Sequence, residues 1–290
     1  MAVVRRSAVA VLSAAMIAAC SSGTALPTVP LGLPTQVLPS AAPPTSNATR
    51  TPTASPISAV VDDDFVVDVN GRTLHMTCLG EGAPTILLEA GHPSSGLQQF
   101  LRFGRAFTDL LARDRRVCAY DRAGYGRSDP APDKPRDLDD VTDDLRAALE
   151  AAGIDGPLVL VGSSFGGMIV TYYAHRFPAG VEGVVLLDVP APSATLSLQE
   201  LPEVAWDHPS NPEHVDVIPE FEHRLAKERF PFAAPLLVIT ATNGQSTIED
   251  QAFWLDWSAT SSQIEVEGGH GVYEDSPQAV AAAVLEVGSP

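Results

Sequence analysis

The stretch Gly162-Ser163-Ser164-Phe165-Gly166 limits what this chain can fold into more than any other part of it. It follows the apolar run Leu158-Val159-Leu160-Val161 and precedes a segment of helical spacing, Met168 to Arg176. A serine flanked by glycines two residues away on either side, with a strand before and a helix after, describes a turn too tight for side chains around its apex. Glycine tolerates that crowding, so the apical residue is held exposed in a strained backbone. Ser164 occupies the apex, which makes it a candidate nucleophile on a strand–turn–helix unit.

A serine hydroxyl is a poor nucleophile unless a base lies within hydrogen-bond reach. Among seven histidines, His270 stands out because it sits in Gly268-Gly269-His270-Gly271, directly after the last strand pattern. His175 reads as a helix-end residue, and His208, His214 and His223 fall in a segment that could line a pocket or face water. The imidazole needs a carboxylate to orient it and to stabilise its charge. Asp188, at the end of Val184-Val185-Leu186-Leu187, and Asp250, in a helix-like segment, compete for that role; the sequence favours Asp188. The oxyanion formed on acyl transfer needs backbone N–H donors. The amide after the nucleophile, that of Phe165, is one. His92 is the other, since Pro93 in Ala90-Gly91-His92-Pro93 has no N–H.

Around these residues, Phe65–Val69 and Thr73–Cys78 alternate about Asn70-Gly71, a hairpin signal. Strands are expected at 85–90, 116–120, 158–161, 181–187, 236–240 and 263–266, and helices at 97–112, 138–152, 246–257 and 277–285. Helix 138–152 is expected to carry its acids on the outer face. This alternation argues an α/β chain with a mostly parallel sheet covered on both faces. Residues 190–232, rich in Pro, Glu and His, interrupt the rhythm and read as an inserted cap.

At the N-terminus, Arg5 and Arg6 precede a short apolar stretch ending Ile17-Ala18-Ala19-Cys20. Small residues before that cysteine resemble a bacterial lipobox. The resemblance implies a signal peptide over 1–19, lipidation of Cys20, and export to a membrane surface on a lipid anchor. Residues 20–61 contain eight prolines and one charge, Arg50; they cannot bury enough apolar surface to fold and read as a tether. The folded domain is 62–290. Across the whole chain, 45% apolar content is enough to supply a core, and a formal charge of −18 argues against nucleic acid as a partner. No metal-ligand spacing or nucleotide-binding glycine loop appears, so neither a metal nor a cofactor is implied.

Four motifs together resemble the α/β-hydrolase superfamily: Gly91-His92-Pro93, Asp121-Arg122-Ala123-Gly124-Tyr125-Gly126-Arg127-Ser128, the Ser164 turn, and the Gly-Gly-His loop. The resemblance covers roughly residues 62–290 and implies an eight-stranded sheet and the triad order nucleophile, acid, histidine, here Ser164, Asp188 and His270. It also implies a structural, not catalytic, role for Asp121 to Ser128. The position after the seventh strand, where an acid is common in the family, reads Thr240-Ala241-Thr242-Asn243-Gly244 and has none; Asp188 fits the variant with the acid after the sixth strand. Spacing leaves Cys78 and Cys118 as either two buried thiols or a pair, and the family's strand order implies a disulfide between them. The function implied is hydrolysis of an ester, thioester or amide; a short cap and modest aromatic content suggest a small or medium acyl substrate, a small molecule. The alternative is a non-catalytic hydrolase-fold binding protein.

Overall fold

The computed structural model describes residues 62–288. The apolar start, Cys20 and the proline-rich stretch up to residue 61 lie outside the described residues. Eight strands form one sheet in the order β1-β2-β4-β3-β5-β6-β7-β8. They are β1 (Asp62–Val69), β2 (Arg72–Leu79), β3 (Thr85–Glu89), β4 (Val117–Tyr120), β5 (Leu158–Ser163), β6 (Val181–Leu187), β7 (Leu236–Asn243) and β8 (Ser261–Gly269). The β1–β2 hairpin closes through Asn70 and Gly71, both at positive φ (55° and 81°), the twist that matches two antiparallel strands. β2 also runs antiparallel to β4, and every pairing from β4 to β8 is parallel. The expected mostly parallel sheet is therefore the one observed.

Helices cover both faces, which is why β4 and β5 are buried along their lengths and the Leu158–Val161 run of β5 is continuously apolar. One face packs α2 (Leu138–Ala151) and α3 (Phe165–Arg176); the other packs α1 (Arg105–Leu111) and the helix Pro277–Glu286. Cys78 and Cys118 are direct partners in the β2–β4 register and form a disulfide, with their Cα atoms 4.1 Å apart.

Two local expectations are corrected. The single helix expected over 97–112 is a π-helical segment, Leu97–Phe103, followed by α1. The break falls at Gly104, whose N–H donates to Gln99 O five residues back at 2.8 Å, while the Thr108 hydroxyl donates to Phe100 O at 2.9 Å. The Tyr273 ring leaves no room for a side chain at that position: a Cβ on Gly104 would lie 2.9 Å from it. In α2, Asp144 turns inward instead of outward, because Arg72 and Arg136 neutralise it there. α2 begins with a capping box between Asp137 and Asp140.

Residues between β6 and β7 contribute Val204, Val215, Ile218, Phe221, Leu225 and Phe232 to the core on the α2–α3 face. Short helical turns at Pro202–Val204 and Ile218–Arg224 shape this insertion. It is tied to the sheet domain by bridges Arg136–Val215 and Phe232–Ser258. Asn211, fully buried, holds its bend by donating to the carbonyls of Val204, Ala205 and Val215.

Parallel strands all end on the same edge of a sheet. The residues following β3, β5, β6 and β8 are Ala90, Ser164, Asp188 and His270, so one edge collects the residues singled out from the sequence. The strand order reverses at β3, which pairs with β4 on one side and β5 on the other. A crevice at such a reversal is the common ligand position in open α/β sheets.

Candidate active site

Ser164 has φ 52° and ψ −126° between β5 and α3. A non-glycine residue held in such a region costs about 1–3 kcal/mol and persists only where its surroundings over-determine it. Here its N–H donates to Leu187 O at 3.2 Å, and Gly167 N–H donates to Ser164 O at 2.9 Å. The flanking glycines make the turn possible. A Cβ on Gly166 would lie 2.3 Å from Glu89 O, and one on Gly162 would lie 2.5 Å from Gly166 O.

His270 follows β8 and is half-buried; its Nδ1 lies 2.7 Å from Asp188 Oδ2. Asp188 is fully buried. Its Oδ1 accepts from Gln251 Nε2 at 2.7 Å and Ala241 N at 3.3 Å, and Oδ2 accepts from Gln245 N at 3.2 Å. Burial pushes the acid's pKa up, but the hydrogen bonds from His270, Gln251 and the two backbone amides outweigh it and hold the carboxyl below its ordinary value. An ionised carboxylate only accepts hydrogen bonds, so Nδ1 carries the proton and the opposite nitrogen, Nε2, is left as an acceptor. The acid missing after β7 is accounted for by Gly244. A Cβ there would lie 2.3 Å from Asp188 Oδ1, so the carboxylate arriving from β6 fills the space a side chain at that position would need. Asp250 instead caps the helix Ile248–Gln251, accepting from the Thr247 hydroxyl at 3.0 Å, and is not paired with His270.

Ser164 and His270 line one cleft of about 290 Å³. Among the described residues no hydrogen bond joins Ser164 Oγ to the ring. A longer separation is common in a site without substrate, where such contacts tighten only on binding. The cleft is walled by the loop after β3, the π-helical segment up to Phe103, the turn at Ser164 and residues 270–274. None of its lining residues belongs to 190–232, so the insertion is not its roof. His208, His214 and His223 are absent from it too, and the last two are bonded to the carbonyls of Trp206 and Leu196.

The loop after β3 runs beside the nucleophile: a Cβ on Gly91 would lie 3.2 Å from Ser164 Cβ. Gly91 N–H is taken by Gln99 Oε1 at 2.9 Å, and Pro93 has no N–H, which leaves His92 as the available amide donor within Gly91-His92-Pro93. The amide of Phe165, at the first turn of α3, is the second. Behind the loop, the buried Arg122 guanidinium donates to Ala90 O at 2.8 Å and Gly91 O at 3.1 Å, and pairs with Glu89 and Glu213. Asp121 accepts from Leu97 N at 3.2 Å, Arg127 N at 3.1 Å and the Ser95 hydroxyl, so it ties the two neighbouring loops together.

A sequence profile of the alpha/beta hydrolase fold matches residues 84–213. The chain is 33% identical over 155 residues to a bifunctional esterase/perhydrolase of Acinetobacter calcoaceticus, covering 52% of this chain and 49% of that protein. An α/β-hydrolase fold protein from Chitinophaga pinensis superposes with a TM-score of 0.63 at 15% identity, covering 77% of this chain and 95% of that one. An epoxide hydrolase, CorEH, superposes with a TM-score of 0.62 at 19% identity, covering 79% and 98%. The chain has the α/β-hydrolase fold.

The chain spans 27% to 49% of the length of the curated relatives it matches first. Three parts of this hydrolase-fold site lay outside the sequence reading: Gln251 behind the acid, Gln99 behind Gly91, and the Arg122–Glu213 pair behind the β3 loop. Gln251 and Glu213 are fully buried polar residues, a class that demands partners. No sequence spacing links them to the sites they serve, which lie 63 and 91 residues away. Arg122 had a local signal, its place in Asp121–Ser128, but not a partner.

Proposed function

We propose that this protein is a serine hydrolase that cleaves an ester, thioester or amide through an acyl-enzyme on Ser164. The observation that carries the reading is the 2.7 Å His270–Asp188 pair facing the same cleft as a serine at the apex of a strained turn. In the first half-reaction, Ser164 Oγ bonds to the carbonyl carbon as His270 Nε2 takes its proton. The carbonyl oxygen becomes an oxyanion that accepts from the amides of His92 and Phe165, each such donor being worth a factor of about 10²–10³ in kcat. Collapse expels the alcohol, thiol or amine, which leaves with the proton from His270. Water then attacks the acyl-enzyme by the same route and releases the acid and Ser164. Asp188 remains ionised throughout and offsets the imidazolium charge. An alkyl-enzyme ester would need a carboxylate at the apex; a hydroxyl suits acyl transfer.

A cleft of about 290 Å³ fits a short or medium acyl group. Incubation with a fluorophosphonate probe tests the reading. Labelling lost in Ser164→Ala supports it. Well-folded wild-type protein that takes up no label would make this a hydrolase-fold binding protein.

We also propose that the enzyme works outside the cytoplasm on a lipid anchor at Cys20. The lipobox-like end of the leader and the Cys78–Cys118 disulfide, a bond favoured in oxidising compartments, support this placement. Metabolic labelling with an alkyne fatty acid should tag the wild type and not Cys20→Ala; equal labelling would refute it.

A further inference from the structure

The insertion between β6 and β7 stays out of the cleft, yet it sends a buried carboxylate to the back of the oxyanion loop. Glu213 Oε2 accepts from Arg122 Nε at 2.8 Å, and Oε1 accepts from Arg122 Nη2 at 3.1 Å and lies 3.3 Å from His92 Nδ1. The Tyr125 hydroxyl lies 3.2 Å from the same ring nitrogen. Glycine at position 124 (φ 88°) admits this docking, since a Cβ there would lie 2.1 Å from Pro212 O. Arg136 fixes the neighbouring backbone through its bridge with Val215.

Arg122, held by Glu213 and Glu89, grips Gly91 O. That carbonyl and the His92 N–H belong to one peptide unit, which is planar. Holding the oxygen on one side of the loop fixes the direction of the N–H on the other. The second donor is braced from the same insertion: Phe221 packs on the Phe165 ring with centroids 4.2 Å apart. Arg122 also lies 5.7 Å from that ring's centre, and the His92 ring packs edge-on to it.

We propose that Glu213, acting through Arg122 and His92, is a positioning residue for the oxyanion donors, and that the insertion serves this site as a buttress instead of a lid. The inference rests on the serine-hydrolase reading. The charge state agrees with this geometry. Burial alone pushes Glu213 up, but Arg122 and His92 lower its pKa to about 2, so an ionised carboxylate stands behind the loop at neutral pH.

The test uses the whole chain with p-nitrophenyl acetate and the fluorophosphonate probe. Glu213→Gln keeps the side-chain shape and removes the charge. It is expected to lower kcat and the labelling rate about 10–100-fold, less than the loss of a whole donor, with KM within about twofold. Tyr125→Phe removes one bond to the His92 ring and is expected to lower kcat about 3–10-fold on the same pattern; it carries the test if Glu213→Gln does not fold. Val284→Ala, in the core on the opposite sheet face, controls for lost stability and should leave kcat unchanged. A folded Glu213→Gln with wild-type kcat, a kcat loss equalled by Val284→Ala, or an unaltered Tyr125→Phe where Glu213→Gln does not fold would overturn the inference. Wild-type protein that neither hydrolyses nor labels would sink the hydrolase reading itself.

Discussion

Replacing Asp188 with asparagine keeps the side-chain shape and removes one charge from a buried position that receives four donors. Oδ1 faces Ala241 N–H and Gln251 Nε2; Oδ2 faces Gln245 N–H and His270 Nδ1. Whichever way the new amide turns, its NH2 meets two of them. If it lies toward His270, the ring is driven to the tautomer with its hydrogen on Nε2, and the base is lost. If it lies toward Gln251, the ring keeps its tautomer but the imidazolium forms without a counter-charge. Losing the carboxylate in a triad of this kind lowers kcat about 10⁴-fold, or about 5 kcal/mol of barrier. Unpaired buried donors cost about 1–3 kcal/mol of stability each, so folding must be checked alongside activity. Steady-state hydrolysis of p-nitrophenyl acetate, with circular dichroism to verify folding, measures both. Asp250→Asn is the comparison: it weakens an exposed helix cap by about 1 kcal/mol at most and leaves kcat unchanged. Turnover abolished by Asp250→Asn, or retained above a tenth by Asp188→Asn, would refute the assignment.

Gly244→Ala places a Cβ within 2.3 Å of the Asp188 carboxylate, so it should displace that group and lower kcat at least about 10²-fold without touching the cleft; kcat within threefold of wild type would refute this. The Cys78–Cys118 bond spans 40 residues, for which the chain-entropy relation gives about 4 kcal/mol. Reduction or Cys78→Ser should therefore lower Tm, read by thermal denaturation with and without reductant, and intact-mass analysis finding two free thiols in protein prepared without reductant would remove the basis for it. Glu213 has a pKa lowered from 4.5 to about 2, so its contribution is present above pH 4.5 and fades as pH falls toward 2. Arg122, His92 and Tyr125 face it, along with Glu89, whose pKa burial raises and whose response to acid therefore has the opposite sign. The stability gap between wild type and Glu213→Gln, measured by urea unfolding, should narrow over that range; a constant gap would refute the linkage.

The parts of this protein written in short sequence windows were legible without a structure. Strand and helix periods, Asn70-Gly71 and the glycine-framed Ser164 are local, because backbone sterics act over a few residues. The sequence likewise singled out His270 and ranked Asp188 ahead of Asp250, but only the fold brings the first two within 2.7 Å and sends Asp250 to a helix cap. Gly244 shows why: its missing side chain is explained only by a carboxylate arriving from 56 positions earlier in the chain. The insertion was legible as a break in rhythm, and its relation to the cleft was not. Where Glu213 and Phe221 go is decided by packing against Gly124, Arg122 and Phe165, contacts between segments far apart in the chain. Local sequence patterns alone were enough to specify the apex serine, its candidate base and the parallel sheet that gathers them on one edge. Packing of the distant segments settled which acid meets the imidazole and what stands behind the loop after β3, since buried charges are fixed by three-dimensional partners, not by spacing.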